Sequence, residues 1–340
     1  MRPHVSARGP VDRTGPTILI RYGDGPVAAR RLLSAGWTPC SSSPTPTPAP
    51  RTGETLERAL AILRESASVE VAATSNPGEL DGVLHRAGSR RIVVAGGDGS
   101  LHAVVAALHK RHELTGKTLA LLPLGTGNDF ARSTGIPLDI EEAARLVLDG
   151  EPRPVDLIVD ETGEIVVNNV HVGAGAEASR HGHTWKSRPG SIGVGKLNLG
   201  KLGYPIGALR AAVNPPSHRL RIELDGRVVV DVDQPVLMVA IGNGTSVGGG
   251  TELTPEADPE SGQLDVMVAP AVAPTAKVGY ALHLSRGEHH QRDDVLYLRG
   301  REVSVRGEAF SVSADGEIYG PERSRTRRLE AAAYDMVLPG

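Results

Sequence analysis

The tightest constraint on this chain is a pair of glycine-rich segments, VAGGDGS at 94–100 and LPLGTGNDFAR at 122–132. Each begins at the end of a short apolar run, 91–95 or 118–122, that reads as a buried strand. A bend built from Gly96, Gly97 and Gly99, or from Gly125 and Gly127, lets backbone N–H groups approach a ligand closely, because no Cβ intervenes. A helix starting just beyond such a bend adds its positive end. Two such bends side by side predict a crevice for a polyphosphate, and so a nucleotide-handling α/β fold.

Composition narrows the class. A chain of 340 residues is too long for one ordinary core, so two domains are expected. A formal net charge of −3 argues against a nucleic-acid binder. Aromatics at 3% argue against base stacking on exposed rings. Cys40 is the only cysteine, which excludes an intrachain disulfide framework and suits a reducing compartment. No apolar run approaches the ~20 residues that span a bilayer, and the N-terminal residues have no apolar signal core. The expected location is cytoplasmic, with membrane contact only peripheral.

Strand and helix patterns alternate in the first part of the chain. Strands are expected at 17–20, 69–73, 91–95 and 118–122, and helices at 28–35, 55–65, 79–87, 101–109 and 140–148. Such alternation predicts a parallel sheet covered on both faces. Residues 1–15 read as a disordered tail, and the Pro/Ser/Thr-rich stretch 40–51 as a mobile insertion. The texture changes near Gly150. Short strands then dominate, at 155–159, 165–170, 219–224, 227–232, 236–241, 264–268, 295–298, 303–305 and 310–313, with Asp-Gly turn signals at 225–226 and 315–316. Helices are expected at 203–213 and 277–285. The predicted class is therefore two-domain α/β: a nucleotide-binding domain with a parallel sheet over 16–150, then a β-rich antiparallel sandwich over 151–325. Residues 334–338 read as a final strand free to return to either domain.

The first bend has neither Rossmann nor Walker spacing, and no lysine follows it. Neutralising a triphosphate would then fall to Mg²⁺, backbone N–H groups and helix ends, with Asp98 meeting the metal directly or through water. The competing reading is a plain strand-to-helix turn with Ser100 as N-cap. In the second bend, Thr126 is a candidate for a phosphate or ribose oxygen. Asn128 and Asp129 read equally as ligand contacts or as Asx-turn and cap residues. His181, His183, His289 and His290 match no standard zinc spacing and read as solvated loop residues. The basic run RSRTRR at 323–328 reads as a solvated loop or as a patch for anionic headgroups.

GGDGS at 96–100 followed by PLGTGNDFAR at 123–132 resembles the diacylglycerol kinase catalytic domain of soluble bacterial lipid kinases, related to sphingosine kinases and NAD kinases. The resemblance continues in order through NVHVGAG at 169–175, KLGYPIGALRA at 201–211, IGNGTSVGGGTELTPEA at 241–257, SGQLDV at 261–266 and ADGE at 314–317. It implies transfer of the γ-phosphate of ATP, with Mg²⁺, to a lipid hydroxyl. Diacylglycerol is the first acceptor, the membrane surface a peripheral partner, and a homodimer is allowed. By position in the family motifs, Gly96, Gly97, Asp98, Gly99, Ser100, Gly125, Thr126, Asn128 and Asp129 are implied at the nucleotide, with Thr74 beside them. Asp315 is implied as the general base. Glu317, two residues on and on the same strand face, is implied at the catalytic centre and, with Asp98, at Mg²⁺. Taken alone, Asp315-Gly316 reads as a two-residue hairpin turn. A turn there also presents the carboxylate at a domain edge, so both readings can hold.

Some positions depart from the family pattern. RYGDGP at 21–26 stands where the family has an Asn-Pro-x-Ser-Gly loop touching nucleotide. Ser261 stands where some members place an aspartate for a structural Mg²⁺, so that second site is expected to be lost unless Asp258 or Glu260 compensates. Two alternatives therefore stay open. One is a kinase of the same fold acting on a sphingoid base, phosphatidylglycerol or a dinucleotide. The other is a nucleotide-binding regulator without catalysis.

Overall fold

Side chains alternate across the central strands of the first lobe and give it two cores. The computed structural model describes residues 17–23, 50–88, 90–173, 217–270, 274–284 and 286–340. The expected helices at 28–35 and 203–213, and His181 and His183, lie outside these residues. The first lobe contains β1 (Thr17–Gly23), α1 (Pro50–Ser66), β2 (Ser68–Thr74), α2 (Pro77–Ala87), β3 (Arg91–Gly96), α3 (Asp98–Lys110), β4 (Thr118–Pro123), α4 (Asp129–Ser133) and α5 (Ile140–Asp149). Ile92 and Val94 face one way, against Leu80 and Leu84 of α2 and Leu101, Val105 and Leu108 of α3. Val93 and Ala95 face the other, against Leu56, Ala59, Leu60 and Leu63 of α1 and Ala143 and Val147 of α5. Each helix contributes residues three or four apart, the spacing of one helical face.

Two helix starts differ from the sequence expectation. The last residues of the expected insertion, 50–51, open α1. Pro50 is its first residue, where a missing N–H costs nothing. Helix α3 begins at Asp98, ahead of its apolar stripe, with Gly97 and not Ser100 as N-cap. The sheet is also mixed, not parallel throughout. β3 and β4 are parallel, whereas β1 runs antiparallel to both β2 and β3. Strand–helix alternation fixes direction where one helix alone bridges two strands, as α3 does. β1 is followed by a longer connection, which can enter α1 from either end of the sheet.

The second lobe starts as α5 ends, with β5 (Glu151–Asp160), β6 (Ile165–Val166), β7 (Asn169–Gly173), β8 (His218–Leu224), β9 (Arg227–Val230), β10 (Pro235–Gly242), β11 (Ser246–Val247), β12 (Thr251–Glu252) and β13 (Leu264–Pro270). It continues with α6 (Pro274–Leu284), β14 (Leu296–Gly300), β15 (Glu302–Ala314) and β16 (Glu317–Leu338). Its pairings are antiparallel, around a core that includes Val170, Ile222, Val239, Val266, Val305 and Phe310. The expected run 165–170 is broken at Val167-Asn168 into β6 and β7. The expected runs 303–305 and 310–313 are one strand, β15, whose register shifts between Arg306 and Phe310. Such a bulge interrupts the two-residue alternation and hides a long strand from pattern reading.

β16 settles where the final strand goes. Its early residues pair with β15, and later ones with β5. Asp335 and Met336 then pair in parallel with Thr118 and Leu119 of β4. Tyr334, Met336 and Leu338 are buried in one first-lobe core and Val337 in the other. The basic run 323–328 lies in this strand and is not a loop. Arg325 is bonded to Asp160 at 2.9 Å and to Glu322, and Arg327 is buried. Strand pairing, which no local pattern announces, turned those arginines inward. No helix among the described residues is long and apolar enough to cross a membrane.

Candidate active site between the lobes

The two glycine bends touch backbone to backbone. Leu124 N–H donates to the Gly96 carbonyl at 2.9 Å. A Cβ on Gly125 would lie 2.5 Å from the Gly97 Cα, and one on Gly97 would lie 2.9 Å from the Gly125 Cα. Only glycine fits at either place. Asn128 holds the second bend from within. It is left-handed at φ 51°, its Oδ1 accepts from Gly125 N–H at 3.0 Å, and its Nδ2 donates to the Gly125 carbonyl at 2.9 Å. Thr126 is exposed. The N-terminus of α3 carries no side-chain cap, so its first N–H groups stay available to an anion. Ser100 is buried in the first turn of α3, and Gly99 is exposed beside it. Thr74, also buried, ends β2 at the same end of the sheet, because it pairs with Thr17 while Ile18 pairs with Ala95.

Two carboxylates tie these bends to their surroundings. Asp98 Oδ1 accepts from Phe130 N–H at 3.0 Å, joining the start of α3 to α4. Asp129 accepts from Gly249 N–H at 2.9 and 3.0 Å and from Gly250 N–H at 2.8 Å, joining α4 to the second lobe. Burial holds Asp129 above the usual carboxylate range, with the Asp98 charge adding to it and the glycine N–H groups opposing. Asp98 Oδ2, left over from that bond, and Asp129 Oδ2 both lie close to Gly127: a Cβ there would sit 3.0 Å from the first and 3.2 Å from the second.

The second lobe contributes Asp315 from the turn joining β15 to β16. Asp315 and Gly316 have φ of 45° and 86°, and Ala314 pairs with Glu317, so this is a two-residue hairpin. The break between β6 and β7 aims three N–H groups at the carboxylate. Val167 N–H donates to Oδ2 at 2.8 Å, and Asn168 and Asn169 N–H donate to Oδ1 at 2.9 and 3.3 Å. The fourth donor is His102 Nδ1 of α3, 2.8 Å from Oδ2. The Asp315 side chain is 4% exposed and that of His102 24%. Burial pulls His102 down, but the hydrogen bond and charge of Asp315, with the charges of Glu317 and Glu164, outweigh it and raise the ring above its ordinary value. Glu317 is exposed, and its carboxylate accepts from the Tyr319 hydroxyl at 3.0 Å.

Asp98 and His102 stand one turn apart on one face of α3. The structure thus joins the glycine bends, Asp98, Asp129 and Asp315 around that helix. His102 was not among the sequence candidates, and neither was Asn243. The Asn243 Nδ2 donates to the Asp156 and Val167 carbonyls, both at 2.9 Å, and buttresses the bend beneath Asp315. The signal available for His102 was its place four residues after Asp98.

The loop around Ser261 is closed by protein groups. Asp156 accepts from Gly262 N–H at 2.7 Å and from Ala332 N–H at 2.8 Å. Asp258 accepts from Glu260 N–H at 3.0 Å, and Glu260 is paired with Arg153. Among the described residues no group of three or more His, Cys, Asp or Glu side chains is placed to hold a metal ion. His289 is buried, not solvated as expected, and its Nε2 donates to the Leu253 carbonyl at 2.9 Å, because α6 and the following turn fold over it.

Comparison with known proteins agrees with this geometry. Residues 49–159 match the diacylglycerol kinase catalytic domain, and 168–334 match the YegS C-terminal NAD kinase beta sandwich-like domain. A Pseudomonas syringae pv. syringae protein named "Probable lipid kinase YegS-like" is 34% identical over 260 residues, 74% of this chain and 77% of its own length. A Bacillus subtilis protein named "Diacylglycerol kinase" is 29% identical over 231 residues, 67% of this chain and 71% of its own. The crystal structure of a diacylglycerol kinase from Bacillus anthracis shares the fold, with a TM-score of 0.58 at 23% identity, over 78% of this chain and 84% of that one. The chain belongs to the diacylglycerol kinase catalytic domain family of lipid kinases, in the two-domain form that carries the YegS-type C-terminal domain.

Proposed function

We propose that this chain transfers the γ-phosphoryl group of ATP, with Mg²⁺, to the hydroxyl of a lipid, diacylglycerol first, giving phosphatidic acid. One observation carries the reading: His102 docks Asp315 of the second lobe onto α3, the helix that opens from the GGDGS bend. An anion at the head of that helix and a hydroxyl beside Asp315 are then neighbours.

Phosphoryl transfer needs alignment and charge neutralisation more than covalent help. The N–H groups of the touching bends and the uncapped start of α3 suit the triphosphate. Thr126 is exposed and available to a phosphate or ribose oxygen, and Thr74 lies farther along the same end of the sheet, at the end of β2. The donors also suit Mg²⁺. Asp98 spends one oxygen on Phe130 and turns the other toward Gly127, and Glu317 is exposed. Mg²⁺ commonly takes one or two carboxylates together with substrate phosphates in place of a protein cage. When bound, the ion neutralises charge on the phosphates. Asp315 is the carboxylate toward which the acceptor's proton is directed. A cytoplasmic protein meeting the membrane peripherally belongs to the same proposal.

The test is incubation with labelled ATP, Mg²⁺ and mixed micelles containing diacylglycerol, then identification of the labelled lipid. Labelled phosphatidic acid is expected. A different labelled lipid keeps the kinase and replaces the acceptor. Nucleotide binding with no transfer to any lipid overturns the proposal in favour of a regulator.

A further inference from the structure

We infer that Tyr319 is a positioning residue for the transfer step: its hydroxyl holds the Glu317 carboxylate beside Asp315, where that carboxylate is presented to the metal accompanying the nucleotide. The inference rests on the kinase reading above and adds a third working side chain to the hairpin.

Glu317 stands where a glutamate left to itself would not stay. It is exposed, and it follows a two-residue turn. The charges around it are mostly of its own sign. Asp315 from the turn and Glu164 from the turn before β6 act on the His102 ring together with Glu317. Like charges so grouped repel, and a long surface side chain has many rotamers in which to move away. Among the described residues, the partner of this carboxylate is the Tyr319 hydroxyl, which donates to Oε2 at 3.0 Å. That bond leaves Oε1 open.

The backbone is shaped to place the phenol. Tyr319 and Glu317 are two residues apart in β16, and so on one strand face. Tyr319 pairs with Val312, and the next pair is Glu322 with Phe310, so β16 carries one extra residue here. The bulge falls at Gly320-Pro321. Gly320 has a φ of 107°, and a Cβ on it would meet the Phe310 carbonyl oxygen at 2.9 Å, so only glycine fits. Bulges recur beside active sites, where they re-aim a side chain.

The hydroxyl also keeps its proton. Burial first, then the charge of Glu317, with Asp315 and Glu164 adding to it, pushes the phenol well above its usual range. Tyr319 is thus a donor throughout the neutral range. A neutral donor suits the task better than a lysine or arginine would. It fixes Glu317 without cancelling the negative charge that attracts a cation. Under the kinase reading, Glu317 and Asp98 are the carboxylates offered to Mg²⁺, which commonly takes only one or two from the protein. A carboxylate already in place does not have to be ordered when the ion arrives. Tyr319 acts on metal affinity, and through it on transfer.

The test is Tyr319→Phe, which keeps the ring and removes the donor, compared with Glu317→Ala and with the double variant. The Mg²⁺ concentration for half-maximal transfer should rise about tenfold in Tyr319→Phe. Saturating Mg²⁺ should restore most of the rate, and the melting temperature should stay close to that of the unaltered protein. In the Glu317→Ala background, Tyr319→Phe should add less than about twofold. NMR titration of His102, without metal or substrate, gives a second readout. The charge of Glu317 raises that ring, so releasing Glu317 should lower its titration in Tyr319→Phe. Glu317→Ala should lower it too, and the double variant should go no lower. An unmoved His102 with an unchanged Mg²⁺ requirement in Tyr319→Phe overturns the inference. An equal effect of Tyr319→Phe with and without Glu317 overturns it as well, because the phenol then acts by itself. Failure of the unaltered protein to phosphorylate any lipid removes the kinase reading and this inference with it. Failure of the variant comparison in an active protein removes the inference alone.

Discussion

Two Asp-Gly hairpins in the second lobe have nearly the same backbone and very different surroundings. Asp225 and Gly226 join β8 to β9 with φ of 50° and 76°, and Asp315 and Gly316 join β15 to β16 with φ of 45° and 86°. Each aspartate accepts from backbone N–H groups of a neighbouring segment. Asp225 Oδ1 takes Arg301 and Glu302, both at 2.8 Å, and stays exposed. Asp315 takes three N–H groups, is buried, and has His102 of the other lobe as its fourth partner. The tight turn is thus a means of aiming a carboxylate. Whether it remains a fastening or serves chemistry depends on what the rest of the fold brings to its last lone pair.

The comparison can be broken or sharpened by substitution. Asp315→Asn should lower phosphate transfer by about 10²–10⁴-fold while ATP affinity stays within about threefold. Near-normal turnover in that variant would remove Asp315 from the mechanism. Gly125→Ala comes next, because its Cβ would meet the Gly97 backbone at 2.5 Å. It should weaken ATP binding by about tenfold or more and cost about 1–3 kcal/mol in a denaturant melt. Unchanged ATP titration would mean that the bends do not hold the nucleotide. Asp129→Ala strips the Gly249 and Gly250 N–H groups of their acceptor and should cost about 1–3 kcal/mol.

A smaller effect depends on pH. His102 is raised in the folded state, so its pairing with Asp315 stabilises fully below the unfolded value of 6.5 and is lost as pH rises through the higher folded value. The stability gap between the unaltered protein and Asp315→Asn should narrow upward through that window. A gap that is flat across it would deny the pairing. Smallest of all is Asp225→Asn, whose amide oxygen can still accept. It should leave transfer unchanged and shift stability by less than about 1 kcal/mol; a loss of activity there would erase the contrast between the turns.

The glycine bends were legible because close backbone approach leaves a mark in residue type. The helices of the first lobe were legible because each buries one face. Direction and length were less so. The antiparallel course of β1 depends on the long connection that follows it, whose length leaves the direction open, and the length of β15 is masked by its bulge. At the site, Asp315 could be read both as a turn and as a carboxylate, and the geometry supports both. His102 gave no local sign beyond its place four residues after Asp98. A single histidine on an amphipathic helix looks like any other, and its partner lies 213 residues along the chain. The same distance effect hid the pairing of Arg325 with Asp160, 165 residues away. Contacts that close over such separations are set by topology, which short windows do not contain.

The return of β16 to β4 carries a consequence for biosynthesis. The ribosome delivers β4 early and its parallel neighbour only after the whole second lobe has emerged. Until then the nascent nucleotide lobe presents an unzipped seam, a template for any passing strand. Cutting the gene at the lobe boundary would make that seam permanent, so the two lobes mature as one unit.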